Sequence, residues 1–163
     1  MTAERLRVLL VEDREEDAEL LLRRLASAGF APEAERVESA GAMEAALRRE
    51  SWDIALLDYR LPGFSGLDAL ALVRDLGLDL PCIIVSGTID EDSAVTALKA
   101  GAANFVLKDN LTRLGPAIVR EVREARDREQ LAATGELDGT AEALAAFEAA
   151  HADLEDELRA VLA

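Results

Sequence analysis

Five short apolar runs punctuate the chain, and four of them stop on a polar or charged side chain. Residues 7–11 lead into Glu12 and Asp13, residues 54–57 into Asp58, residues 82–85 into Ser86, and residues 104–107 into Lys108; residues 34–37 form the fifth, weaker run. A continuous apolar run of this length is the pattern of a strand covered on both faces. Between the runs lie helical patterns. They cover about 15–28, the stretch after Ser39 with Met43, Ala46 and Leu47, about 66–76, the stretch with Ala94, Val95, Leu98 and Ala100, and a fifth from about 110–116 to 133. On the first helix, Leu20, Leu21, Leu22 and Leu25 are expected on the inner side. Ser39 suits an N-cap, as does Thr88 or Asp90 for the fourth helix, and Gly29, Gly77 and Gly101 suit left-handed stops. Five strand-helix units in succession require a doubly wound α/β fold, a parallel sheet with right-handed crossovers and helices on both faces. Glu35 and Arg36 interrupt the second strand, which suits an edge position.

Charge and composition narrow what such a fold can do. The formal net charge is −15. Nucleic-acid binding needs a basic footprint, so no direct nucleic-acid partner is expected, nor an anionic membrane surface. A cation or a basic partner patch suits this charge better. Aromatic residues make up only 4%, so the core must be aliphatic. The single cysteine, Cys82, reads as a small buried hydrophobe, and no disulfide can form within the chain, which fits a reducing cytosol. The apolar run before Glu12 is too short for a signal peptide. No run reaches the roughly 18 apolar residues of a membrane span. A cytoplasmic protein is expected.

In a parallel sheet all strands point the same way, so the polar groups at the strand ends should meet in one cleft, where open α/β sheets bind ligands. That brings together Glu12, Asp13, Asp58, Ser86 and Lys108. Taken singly, each has an ordinary explanation: an aspartate as a turn former, Glu12 and Asp13 as favourable charges at a helix start, a lysine as a solvated surface group. Their joint occurrence at successive strand ends is what singles them out. Three carboxylates repel without a cation, and oxygen-only ligands select a hard ion, Mg²⁺ above all. Such a site suits transfer of a phosphoryl group to Asp58 as an acyl phosphate, with Lys108 and Ser86 bonding phosphoryl oxygens.

The stretches LLVED at 9–13, LLDYRLPGFSG at 56–66, IVSGT at 84–88 and ALKAGAANFVLK at 97–108 resemble, in order and in spacing, the receiver domain of two-component response regulators. The resemblance covers about residues 6–133. It implies a flavodoxin-like fold with strand order 2-1-3-4-5. It implies that Asp58 is phosphorylated by a sensor histidine kinase. It also implies Mg²⁺ held by Asp13, Asp58 and the backbone carbonyl of Arg60, with Glu12 acting through water. Lys108 matches the family's invariant lysine, and Ser86 and Phe105 match its switch pair. On loading, Ser86 would be drawn inward, with Phe105 following into the vacated space. The chain departs from the common pattern at Glu12, where Asp is commoner. It departs again at Asp109, where many members have a proline, so a cis bond after Lys108 is not implied. Arg60 and Thr88 occupy variable flanking positions and are expected to modulate the site, Arg60 by shielding the acyl phosphate from water.

Residues 134–163 read differently. Gly135 to Gly139 breaks the helical pattern, and Leu137, Thr140, Leu144, Phe147, His151, Leu154, Leu158 and Val161 follow spacings of three and four, a coiled-coil or hairpin seam. Acidic residues outnumber basic ones eight to one here. The expectation is a receiver over 1–133 and a helical extension over 134–163 for homodimerisation or partner docking. His151 reads as a seam or surface residue rather than a phosphorylation site. The expected function is a phosphoacceptor that signals through protein contacts and is not a conventional enzyme. The alternative is the front end of a longer multidomain signalling enzyme, a hybrid kinase or cyclase, with 134–163 as linker.

Overall fold

The computed structural model describes residues 4–87 and 91–134. Thr88 and Asp90, and the patterned tail with His151, lie outside the described residues. Five parallel strands form the sheet: β1 (Glu4–Val11), β2 (Phe30–Val37), β3 (Ile54–Asp58), β4 (Cys82–Ser86) and β5 (Asn104–Leu107). Their order is β2-β1-β3-β4-β5, as expected. The helices are α1 (Glu15–Ser27), α2 (Ala40–Arg49), α3 (Gly66–Asp75), α4 (Glu91–Lys99) and α5 (Leu114–Thr134), with a 3-10 segment, Lys108–Arg113, between β5 and α5.

The period-two geometry of a strand explains why the central runs are continuously apolar. On β1, Leu9 and Val11 face one layer while Leu6, Val8 and Leu10 face the other; on β3, Ala55 and Leu57 alternate likewise with Ile54 and Leu56. The first layer holds Met43, Ala46 and Leu47 of α2, Ala69, Leu70 and Val73 of α3, and Ala94, Ala97 and Leu98 of α4. The second holds Ala18, Leu21 and Leu25 of α1 with Ala117, Ile118 and Val122 of α5. Cys82 is buried as expected, and burial pushes its thiol up to about 12, so it stays an unreactive thiol.

Several boundaries and faces differ from the sequence reading. Strands β1 and β2 each begin earlier, because they pair along their whole length from Glu4↔Phe30 to Val11↔Val37. The β2 pairing includes Pro32, which an edge strand tolerates because one side of its backbone needs no partner. Leu20 does not face inward with Leu21: it is 41% exposed. Successive helical residues are turned about 100° apart, so three consecutive leucines cannot share one face. The segment after Asp58 is not irregular throughout. Arg60–Leu61 pairs antiparallel with Phe64–Ser65 around Gly63, whose φ of +69° a glycine adopts without strain. This small hairpin drops Leu61 and Phe64 into the first layer.

Local capping then sets where helices start. Ser39 Oγ accepts from the Ala42 amide at 3.1 Å, as its N-cap reading requires. Ser65, unremarked in the sequence reading, forms a reciprocal capping box with Asp68 at the head of α3. Gly29, Gly77 and Gly101 all have positive φ after their helices. Among the described residues no peptide bond is cis, the Lys108–Asp109 bond included.

Candidate functional site at the carboxyl edge of the sheet

Parallel pairing brings the strand ends level. Val11 stands beside Leu57, so Glu12 and Asp13 emerge next to Asp58, which itself stands beside Val85. Ser86 is one residue further along β4 and stands beside Leu107, just before Lys108. One carboxylate oxygen each from Glu12, Asp13 and Asp58 lie within 4.8 Å of one another. The convergence read from the sequence is therefore present for these three acids and for Lys108.

The acids are held by different means. Glu12 is only 2% exposed. Its backbone amide bonds the Val37 carbonyl at 3.1 Å, and its own carbonyl accepts from the Arg36 guanidinium at 3.2 Å. Its carboxylate accepts from the Arg14 amide at 3.1 Å and from Lys108 Nζ at 3.0 Å. Burial raises the Glu12 carboxyl to about 7, although its bonds to Lys108 and Arg14 pull the other way. Asp58, at the end of β3, keeps its side chain 12% exposed, and one of its oxygens lies 3.5 Å from the Arg60 amide.

Lys108 is the hub. Its ammonium lies 2.8 Å from Asp17 Oδ2, 3.0 Å from Glu12 Oε2 and 3.5 Å from Asp58 Oδ2. Burial alone would lower it. The hydrogen bonds to Asp17 and Glu12 and the Asp58 charge outweigh that and lift it to about 12, so it is a permanent cation.

The remaining site residues are placed as follows. Ser86 is buried at the end of β4, and Phe105, one strand away beside Ile84, is wholly buried in the first layer. Phe105 is thus already inside. The Arg60 side chain is exposed on the hairpin next to Asp58. Thr88 lies outside the described residues. A divalent ion of the Mg²⁺ class suits the three acids, because hard oxygen donors without sulfur or imidazole are what such an ion takes.

Two contributors escaped the sequence reading. Asp17, in the first turn of α1, is the nearest acid to Lys108; its spacing of four from the buried Leu21 was the available sign that it faces inward. Gly66 is the other. A Cβ there would stand 3.0 Å from the Asp58 carbonyl oxygen, 3.0 Å from Ile84 Cδ1 and 3.2 Å from Tyr59 Cα. The head of α3 is therefore packed against the backbone that carries Asp58, and the Gly66 amide bonds the Tyr59 carbonyl at 2.9 Å.

Comparisons agree with this geometry. Residues 8–118 match the family model for the response regulator receiver domain. Among relatives, the probable transcriptional regulatory protein NarL of Mycobacterium tuberculosis is 31% identical over 107 residues, 66% of this chain and 50% of NarL. The regulatory protein LuxO of Vibrio cholerae is 35% identical over 85 residues, 52% of this chain and 18% of LuxO. The match thus spans half of NarL and less of LuxO. Among solved structures, the receiver domain of a putative LuxO repressor protein from Vibrio parahaemolyticus superposes with a TM-score of 0.70 at 26% identity, covering 78% of this chain and 97% of that one. A CheY-like receiver domain protein from Methanospirillum hungatei gives 0.66 at 27% identity, covering 76% and 98%. The chain belongs to the response regulator receiver domain family.

Proposed function

We propose that Asp58 accepts a phosphoryl group from a sensor histidine kinase and that the loaded protein signals by protein contacts. The observation that carries this is a partly buried carboxylate at the end of a central strand, grouped with two further acids and a permanent cation. An Asp58 oxygen attacks phosphorus, the bond from phosphorus to the donor imidazole breaks, and the imidazole leaves with its electron pair. Lys108 neutralises charge on a phosphoryl oxygen, and the Ser86 hydroxyl bonds another. Asp13, Asp58 and the Arg60 carbonyl would hold Mg²⁺, with Glu12 acting through water, and the ion supplies positive charge against the phosphoryl oxygens when bound.

Ser86 and Phe105 form the switch pair in this reading. With Phe105 already buried, loading stabilises the inward side chain rather than creating it, a shift of population. Arg60 and Thr88 modulate the lifetime of the loaded state. The protein is a phosphoacceptor that assists its own loading, works in the cytoplasm and, being strongly acidic, does not bind nucleic acid itself. Residues 1–133 form the receiver and 134–163 an extension for homodimerisation or partner docking. A second reading is favoured by the short span matched in NarL and LuxO: the receiver is the front end of a longer regulator, such as a hybrid kinase or cyclase.

Intact mass after incubation with Mg²⁺ and acetyl phosphate tests the central claim. One added phosphoryl mass is expected for the native chain and none for Asp58→Asn. No added mass in the native chain, or its persistence in the variant, would sink it.

A further inference from the structure

We infer that Asp17 is a positioning residue for Lys108: it holds the ammonium partly withdrawn from Asp58 and releases it when the site is loaded. The inference rests on the phosphoacceptor reading of Asp58. An ammonium has three N–H donors, and here three carboxylates surround it. The order of distances is informative. Asp17 is nearest at 2.8 Å, Glu12 next at 3.0 Å, and Asp58, the residue Lys108 is there to serve, is last at 3.5 Å, the limit of a hydrogen bond.

The charges of Glu15 and Glu16, which share the first turn of α1, are spent in solvent, as helix-start acids usually are. Asp17 differs: its side chain is 25% exposed and turned toward the sheet edge. Its other cationic neighbour, Arg14, stands 4.0 Å away and is itself 67% exposed, so Lys108 is the principal partner. Lys108 therefore ties the end of β5 to the start of α1 as well as to the acidic cluster.

A phosphoryl group on Asp58 brings anionic oxygens into reach of the ammonium, and these compete with Asp17 for the same donors. Before loading, Asp17 acts the other way. It adds a negative charge that opposes an anionic phosphodonor, and it holds the cation that would help that donor. In loading from acetyl phosphate, a bond forms between an Asp58 oxygen and phosphorus, the bond from phosphorus to the acetyl oxygen breaks, and acetate leaves with the electron pair.

Two measurements on the full chain test the inference. The first follows the Lys108 side-chain ¹⁵N–¹H resonance by NMR without Mg²⁺ or phosphodonor. Asp17→Asn should shift it, and Asp17→Glu should largely restore it. An unmoved resonance in Asp17→Asn would overturn the inference, whether or not the protein loads. The second is the loading rate from acetyl phosphate. Asp17→Asn should raise it about three-fold or more, the scale of losing one partly exposed ion-pair partner. That gain should vanish in a Lys108→Gln background. The same gain in both backgrounds would overturn a role through Lys108 and leave only a through-space charge effect. Failure of the native chain to load would instead refute the phosphoacceptor reading, and the resonance alone would then decide whether Asp17 positions Lys108.

Discussion

At the scale of single residues, the site depends on two residues that differ in kind. Gly66 contributes by lacking a side chain. Two of the three atoms that a Cβ would crowd are backbone atoms of Asp58 and Tyr59, which cannot rotate away. Gly66→Ala is expected to destabilise the fold by about 1–3 kcal/mol, as overpacking a tight contact does, and to slow loading of Asp58; an unchanged denaturation midpoint would contradict this. Arg60 contributes by reach. Its exposed side chain leaves the hairpin beside Asp58. Arg60→Ala should shorten the half-life of the phosphorylated protein if the side chain shields the acyl phosphate, and an equal half-life in the two proteins would remove that role. Both residues occur in the stretch after Asp58, yet only Arg60 was legible as more than a loop or helix-start residue. A glycine's place in a loop can be read locally, whereas the backbone it lies against comes from tertiary packing.

At the scale of elements, α5 carries an unusual buried acid against β5. Glu121 is 6% exposed, and Asn104 of β5, which faces it, is 3% exposed. Burial, followed by the charge of Glu124, lifts Glu121 to about 7, against the opposing influence of Arg120, Arg128 and a hydrogen bond with Asn104. The folded chain therefore keeps a proton on Glu121 between about pH 4.5 and 7, where the unfolded chain has released it. Stability falls as pH rises through that window, and the full penalty stands above it. At about 1.4 kcal/mol for each pH unit between the two values, the penalty is on the order of 3 kcal/mol. Glu121→Gln is expected to be more stable than the native chain at pH 8 by that order and little changed at pH 4.5. Equal differences at the two pH values in urea unfolding would refute it. Some slope should survive in the variant, because Glu12 is raised for the same main reason, burial. Glu121 falls within the helical pattern, but its charge suggests a solvated face. Only the packing of α5 across Val122 and Ile118 turns it inward.

At the scale of the whole molecule, the two helical layers and the five-stranded sheet leave all the candidate chemistry at one edge. The extension proposed for 134–163 bears on assembly rather than on that edge. Light scattering of the full chain should give a dimer mass, and a chain ending at Ala133 a monomer mass; equal masses would reject dimerisation through the extension. The sequence by itself determined the strand-helix alternation, the order of the sheet through the family resemblance, and the polar residues at strand ends, Glu12, Asp13, Asp58, Ser86 and Lys108. These were readable because strand periodicity is local and parallel strands must end on the same side. Only the tertiary structure decided that Lys108 lies nearer to Asp17 than to Asp58, that Gly66 seats α3 against the backbone of Asp58, and that Glu121 is buried. Each of these depends on how a helix is turned and seated against the sheet. That is settled by side-chain packing between segments far apart in the chain, and no local periodicity encodes it to within an ångström.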